Sequence, residues 1–115
     1  MKSTSASRRN ARGKPKGKPL PLDSLVPSSG PRLVAWYLMT SFLYYKHDIS
    51  IITDPCYDHM CAWLKDHLDE IDHPHRHLVD KGALDAGTAY HLTEADYPAM
   101  TKGAALRLAH EAGYL

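Results

Sequence analysis

The chain has 115 residues, which is enough for one small domain with a modest core. Its apolar residues never run for about 20 positions, and its basic N-terminus lacks an apolar stretch, so we expect neither a membrane span nor a secretory signal. The formal net charge of +1 hides an uneven distribution: residues 1–19 hold seven of the 14 Lys and Arg residues and no acid, which leaves the remainder at −6.

Residues 1–30 are rich in Gly, Pro, Ser, Lys and Arg and predict a flexible basic arm, because such a segment buries too little apolar surface to offset its ordering entropy. Arms of this kind bind phosphate backbones by releasing counterions. We therefore predict that the arm binds nucleic acid; the alternatives are a solubilising tail or docking on an acidic protein surface. The residues that would make these contacts are Arg8, Arg9, Arg12, Lys14, Lys16 and Lys18.

The second predicted unit, residues 31–115, begins with a helix from Pro31 to about Lys46. Proline suits the first turn of a helix, and it follows Ser28, Ser29 and Gly30. The apolar positions of this helix cover most of its circumference, which indicates a helix at the centre of a core or one covered by a partner.

A short connection, His47–Thr53, leads to a second predicted helix that starts at Thr53 or Asp54 and places Pro55 in its first turn. We expect His73-Pro74 to end it. Its apolar positions recur at helical spacing and predict packing on the first helix. Residues 36 to 78 therefore read as a helix–loop–helix hairpin.

The remaining sequence predicts shorter helical pieces. Residues 75–81 form a helical turn ended by Gly82, residues 83–91 form another that Gly87 weakens, and a last helix runs from Pro98 to Ala112 with Gly113 as its C-cap. Alternating strand patterns are absent. The predicted fold class is therefore all-α, a small helical domain built on the hairpin.

The chemistry-bearing residues concentrate where the two hairpin helices meet. Asp54, Tyr57 and Asp58 are spaced i, i+3 and i+4 on the second helix, and the short connection can bring Tyr44 back over that turn. Aromatic faces, carboxylates and the N–H groups of a helix N-terminus suit a cationic, planar, hydroxyl-rich nucleotide such as nicotinamide mononucleotide. The alternative is purely structural, since Tyr57 also lies on the apolar stripe and Asp54 is a common cap.

The same run resembles the small N-terminal domain (domain Ia) of NAD-dependent DNA ligases, which binds nicotinamide mononucleotide. The resemblance covers about residues 36–78, and its pattern is carried without a gap by Leu43, Tyr44, Asp48, Ile52, Asp54, Tyr57, Asp58 and Met60. Tyr45 stands where the family usually has His. The resemblance implies NAD or nicotinamide mononucleotide as the cofactor, with Tyr44, Tyr45, Asp54, Tyr57 and Asp58 as its binding residues.

The ligation chemistry of that family is not expected here. Its adenylation domain needs a lysine in a K-x-D-G context, and neither Lys81-Gly82 nor Lys102-Gly103 fits. We therefore expect a stand-alone, non-catalytic binding module that recognises a nicotinamide-type nucleotide, an adenylation domain or another protein, and a phage is one candidate source for it. The alternative is a virion component or host-enzyme inhibitor that uses the hairpin only as a scaffold.

Eight histidines are many for this length, but they lack the spacings of strong zinc sites, so we expect no metal. The two cysteines, Cys56 and Cys61, point in different directions on one predicted helix, which disfavours a disulfide and favours a reducing compartment. The expected location is the cytoplasm, or the host cytoplasm or virion for a phage protein.

Overall fold

The computed structural model describes residues 19–115. Within that range the chain forms helices and turns and contains no strand, so the all-α fold class is confirmed. The α-helices are α1 (Arg32–His47), α2 (Asp54–His67), α3 (Lys81–Ala86) and α4 (Ala99–Glu111). Four 3-10 turns complete the described secondary structure: Asp23–Leu25, Leu68–Glu70, Arg76–Leu78 and Glu94–Asp96.

Helix α1 lies at the centre of the molecule. It packs against both α2 and α4, while α2 also contacts α3. Buried side chains lie on all sides of α1, from Leu33 near its start to Tyr44 near its end, as its apolar circumference predicted. Its small buried polar side chain Thr40 is satisfied locally, because Oγ1 donates to the carbonyl of Trp36 over 2.7 Å.

Both ends of the hairpin turn have definite caps. Asp48 adopts the left-handed conformation at the end of α1 (φ 57°, ψ 38°), which an Asp tolerates better than most side chains. Thr53 caps α2 by accepting a hydrogen bond from the amide of Cys56, and Pro55 lies in the first turn, as predicted. The α-helix ends earlier than predicted, however: it stops at His67, and a 3-10 turn precedes His73-Pro74.

The region after the hairpin departs furthest from the sequence prediction. Residues 76–78 form only a 3-10 turn, and Gly82 lies inside α3 rather than ending a helix. The residue that ends α3 is Gly87, whose left-handed backbone (φ 70°, ψ 39°) favours glycine. The last helix follows the prediction closely, since Gly113 at φ 86° closes it and the amide of Tyr114 donates to the carbonyl of Ala109.

Residues 19–26, which we call the strap, lie against the body although the sequence placed them in the arm. The amide of Leu22 donates to the carbonyl of Ile51 over 2.7 Å, and Leu22 and Val26 pack against the core. At the other side, Tyr114 Oη donates to the carbonyl of Leu20 over 3.0 Å. The strap therefore joins the hairpin turn to the C-terminal residues.

Candidate functional site

The candidate site is the corner of the hairpin, formed by the end of α1, the connecting loop and the first turn of α2. Asp54 is the first residue of α2, and Asp58 follows one turn later, so the two side chains are neighbours on the helix surface. Both aspartates are half-buried. The structure thus brings these two predicted residues together at the hairpin corner.

Tyr57 lies in the interior. Its side chain is 0% exposed, and its ring stacks on Tyr37 with the centroids 5.9 Å apart and the planes at 27°. Its hydroxyl lies 2.7 Å from Ser41 Oγ, so the polar atom is satisfied across the α1–α2 contact. Burial raises the pKa of Tyr57, which keeps the phenol neutral. In this conformation the ring of Tyr57 offers no face to a ligand.

The two adjacent tyrosines at the end of α1 contact each other. Tyr44 is buried, at 7% exposure, and Tyr45 is half-buried, with the ring centroids 4.9 Å apart and the planes perpendicular. Burial raises the pKa of Tyr45, and a hydrogen bond with the backbone of Ala89 partly counteracts that shift. Tyr45 therefore lies beside a segment that the hairpin pattern does not include.

The N-terminus of α2 differs from the predicted phosphate site. The amide of Thr53 donates to Asp23 Oδ1 over 2.9 Å, and the amide of Cys56 donates to Thr53 Oγ1 over 3.3 Å. Pro55, between them, has no N–H at all. The strap and the cap therefore already use the amides of Thr53 and Cys56, and phosphate binding at this helix end stays a prediction.

Asp23 is the residue that sequence reasoning missed. Besides the amide of Thr53 it accepts a hydrogen bond from the Thr53 hydroxyl, so one carboxylate fastens the strap to the hairpin corner. In the sequence, Asp23 is one of many polar residues in a segment that we assigned to the arm. The sequence signal that could have revealed the strap was the apolar pair Leu22 and Val26, which lie on either side of Asp23 and pack on the core.

The thiol of Cys56 lies beside Asp23 and is not activated. Partial burial and then the Asp23 carboxylate raise the pKa of Cys56 to about 11. The thiol therefore stays protonated at neutral pH, which is the opposite of what a nucleophilic cysteine requires. Neither Cys56 nor Cys61 is part of a disulfide.

The histidine-rich turn after α2 has a defined local structure. The His73 and His75 rings are 5.5 Å apart, and the amide of His75 donates to His73 Nδ1 over 3.0 Å. Burial, then the neighbouring His75, lower the pKa of His73. Across residues 19–115, no three His, Cys, Asp or Glu side chains are grouped so that they could hold a metal ion.

The second predicted site, in the arm, lies outside the described residues: Arg8, Arg9, Arg12, Lys14, Lys16 and Lys18. In the part of the chain that the structure describes, no helix is long and apolar enough to cross a membrane.

Comparison with known protein families, with curated proteins and with solved structures finds no match to this chain. The resemblance to the ligase domain therefore rests on the residues of the hairpin alone.

Proposed function

We propose that this chain is a non-catalytic binding module whose basic arm binds nucleic acid and whose hairpin corner binds a partner protein. The observation that carries the proposal is the separation of charge: seven basic residues and no acid in residues 1–19, against a balance of −6 in the rest of the chain. An acidic body is repelled by a phosphate backbone, so the arm is the part of the chain suited to contact it.

The arm is tested by binding of the full chain to a labelled mixed-sequence duplex over a salt series. Each phosphate contact adds about −0.9 to the slope of log affinity against log salt, so six basic residues give a slope of at most about −5. Alanine replacements of the six arm residues should abolish DNA binding and with it the salt dependence of the affinity. These residues are Arg8, Arg9, Arg12, Lys14, Lys16 and Lys18.

The matched control for the arm removes a basic side chain from the body. Arg107 on α4 is exposed and pairs with Glu111 one turn away, so Arg107→Ala should leave DNA binding unchanged. DNA affinity that persists without the six arm charges would overturn this half of the proposal.

For the hairpin, the burial of Tyr57 favours a protein partner over a nucleotide. A stacked nicotinamide ring needs an open aromatic face, whereas a basic protein surface needs only the half-buried carboxylates Asp54 and Asp58. An adenylation domain or another protein could supply such a surface. The resemblance to the ligase domain is what keeps nicotinamide mononucleotide as the second candidate.

Calorimetric titration with nicotinamide mononucleotide separates the two candidates. If the nucleotide is recognised, binding should be weak, near millimolar or about −4 kcal/mol, and Asp58→Asn should remove it. Asp85→Asn, which changes an exposed carboxylate on α3, is the matched control. If no heat is measured at several times that concentration, the nucleotide hypothesis is rejected and the protein partner remains as the proposal. Tyr57→Ala is unsuitable here because it empties the core.

A further inference from the structure

The strap is fastened to the hairpin corner through Asp23. One oxygen of the Asp23 carboxylate accepts a hydrogen bond from the amide of Thr53 over 2.9 Å, and the other accepts one from the Thr53 hydroxyl. The preceding strap residue, Leu22, donates its amide to the carbonyl of Ile51 over 2.7 Å. Because Thr53 is the N-cap of α2, the docked strap covers the start of that helix.

The other side of the strap is fastened to the C-terminal residues. Tyr114 Oη donates to the carbonyl of Leu20 over 3.0 Å, and Pro19 lies beside Gly113. These contacts lie near the surface, since none of the eight strap residues is fully buried and Leu20 is 81% exposed. Segments with little buried apolar surface and exposed hydrogen bonds open at low free-energy cost. The strap is therefore suited to detach while the helices stay folded.

The charges around the docked strap oppose a nucleic acid bound to the arm. Lys18 is the last basic residue of the arm, and Asp23 follows five positions later, at most about 17 Å along the chain. Asp54, directly after Thr53, adds a second carboxylate at the corner. The Debye length at physiological salt is about 8 Å, so phosphates held at Lys18 lie within about two Debye lengths of Asp23. DNA on the arm is therefore repelled by the corner while the strap is docked.

Release of the strap removes most of this repulsion. Eight extended residues span up to about 26 Å, or about three Debye lengths, which lets the acidic body move away from the phosphates. DNA therefore binds the arm more tightly when the strap is released, and a ligand that prefers one of two states shifts the equilibrium toward that state. The same change separates the amide and the hydroxyl of Thr53 from Asp23.

We propose that the strap is a latch that couples the two binding surfaces of the proposed function. In the free protein the docked strap covers the start of α2, and nucleic acid on the arm releases the strap and uncovers the hairpin corner for the protein partner. The coupling is reciprocal, so a partner that needs the uncovered corner strengthens nucleic-acid binding. The latch rests on the proposed function, because nucleic acid bound to the arm is what releases it.

Amide hydrogen exchange of the full chain, followed by NMR with and without the mixed-sequence duplex, tests the latch. The amides of Leu22 and Thr53 form their hydrogen bonds across the docked strap, so saturating DNA should raise their exchange rates by about tenfold or more. The amide of Lys102, which donates to the carbonyl of Pro98 in the first turn of α4, is the control and should exchange as before.

The outcomes distinguish failure of the latch from failure of the proposed function. Fluorescence anisotropy of the labelled duplex measures DNA binding in the same samples. If DNA binds while the Leu22 and Thr53 amides exchange as before, or while the Lys102 amide is accelerated equally, the latch is wrong and the role of the arm stands. If DNA does not bind, the nucleic-acid half of the proposed function is wrong and the latch fails with it.

A charge-neutral variant tests the coupling from the side of the strap. Tyr114→Phe removes the hydroxyl that holds Leu20 and should shift the strap toward release, which raises affinity for the duplex by up to about fivefold. Tyr90→Phe is the matched control: it also removes a phenol hydroxyl, but Tyr90 is 71% exposed, so DNA affinity should not change. Equal DNA affinity of Tyr114→Phe and the wild type would contradict the coupling.

Discussion

The hydroxyl of Tyr57 meets Ser41 Oγ at 2.7 Å in the contact between α1 and α2. This side chain satisfies two patterns at once, since it belongs both to the ligase-like motif and to the apolar stripe of α2. Helical spacing correctly predicted that Asp54, Tyr57 and Asp58 are neighbours on α2. The apolar stripe also predicted the packing of Tyr57 on α1 as the structural alternative, and the spacing alone did not decide between that role and contact with a ligand.

Removing the Tyr57 hydroxyl should weaken the hairpin. Tyr57→Phe keeps the ring stacked on Tyr37 but leaves Ser41 Oγ without this partner in a buried position, so the free energy of unfolding should fall by about 1 kcal/mol. Urea denaturation measures the change, and Ser41→Ala completes a double-mutant cycle. Equal stability of Tyr57→Phe and the wild type, with no coupling to Ser41, would contradict the structural role.

His73 should make the stability of the fold depend on pH. Its Nδ1 accepts from the amide of His75, and burial lowers its pKa below the ordinary 6.5. The unfolded chain therefore takes up the proton first as pH falls, so the free energy of unfolding should decrease as pH falls from about 6.5 through the lowered pKa. The full free energy of unfolding should be retained above about pH 6.5.

For this pH dependence, His73→Asn is the test variant and His110→Asn is its control. Asparagine can keep the acceptor for the His75 amide but cannot be protonated, so His73→Asn should flatten this part of the pH profile of urea unfolding. His110 is exposed on α4, and its replacement should leave the profile as it is. An unaltered profile in His73→Asn would assign the pH dependence to other groups.

At the scale of elements, the sequence predicted the long helices well and the short ones poorly. Pro31, Thr53 and Pro98 are local signals of helix starts and Gly113 of a helix end, and they mark the starts of α1, α2 and α4 and the end of α4 to within a residue or two. The turns between residues 68 and 80 instead depend on side-chain contacts that reach beyond one helical turn. Arg76 Nε, for example, donates to the carbonyl of Leu68 over 2.7 Å, and no local pattern encodes that bond.

Two glycines should respond in opposite ways to the same substitution. Gly87 ends α3 in the left-handed region, where a Cβ is strained, so Gly87→Ala should destabilise the fold by about 1 kcal/mol. Gly103 lies within α4, and apart from the adjacent helix backbone no atom of residues 19–115 is within 4 Å of an added Cβ, so Gly103→Ala should stabilise the fold by about 0.5–1 kcal/mol. Melting temperatures of the pair measure both; a shift of the same sign in each would refute the assigned roles.

At the scale of the molecule, the absence of strand patterns predicted the all-α class, and the apolar circumference of α1 predicted its central position. The sequence predicted that α2 covers α1 but did not predict that α4 does. Helix α4 packs on α1, and its buried residues Thr101, Ala105 and Ala109 are small or polar, so they form no strong apolar stripe. The strap was missed for a different reason: its apolar residues directly follow the basic, Gly- and Pro-rich stretch and were counted with the arm.

The hydrogen bond between Tyr114 and Leu20 brings residues 94 positions apart in the chain into direct contact. A short linker from Leu115 to Pro19 could therefore close the body into a ring, and new termini could be opened in an exposed turn such as that around Asp72. The same proximity means that a purification tag or fluorophore attached after Leu115 would sit at the root of the arm. Labels for binding measurements are better placed on α3, away from that junction.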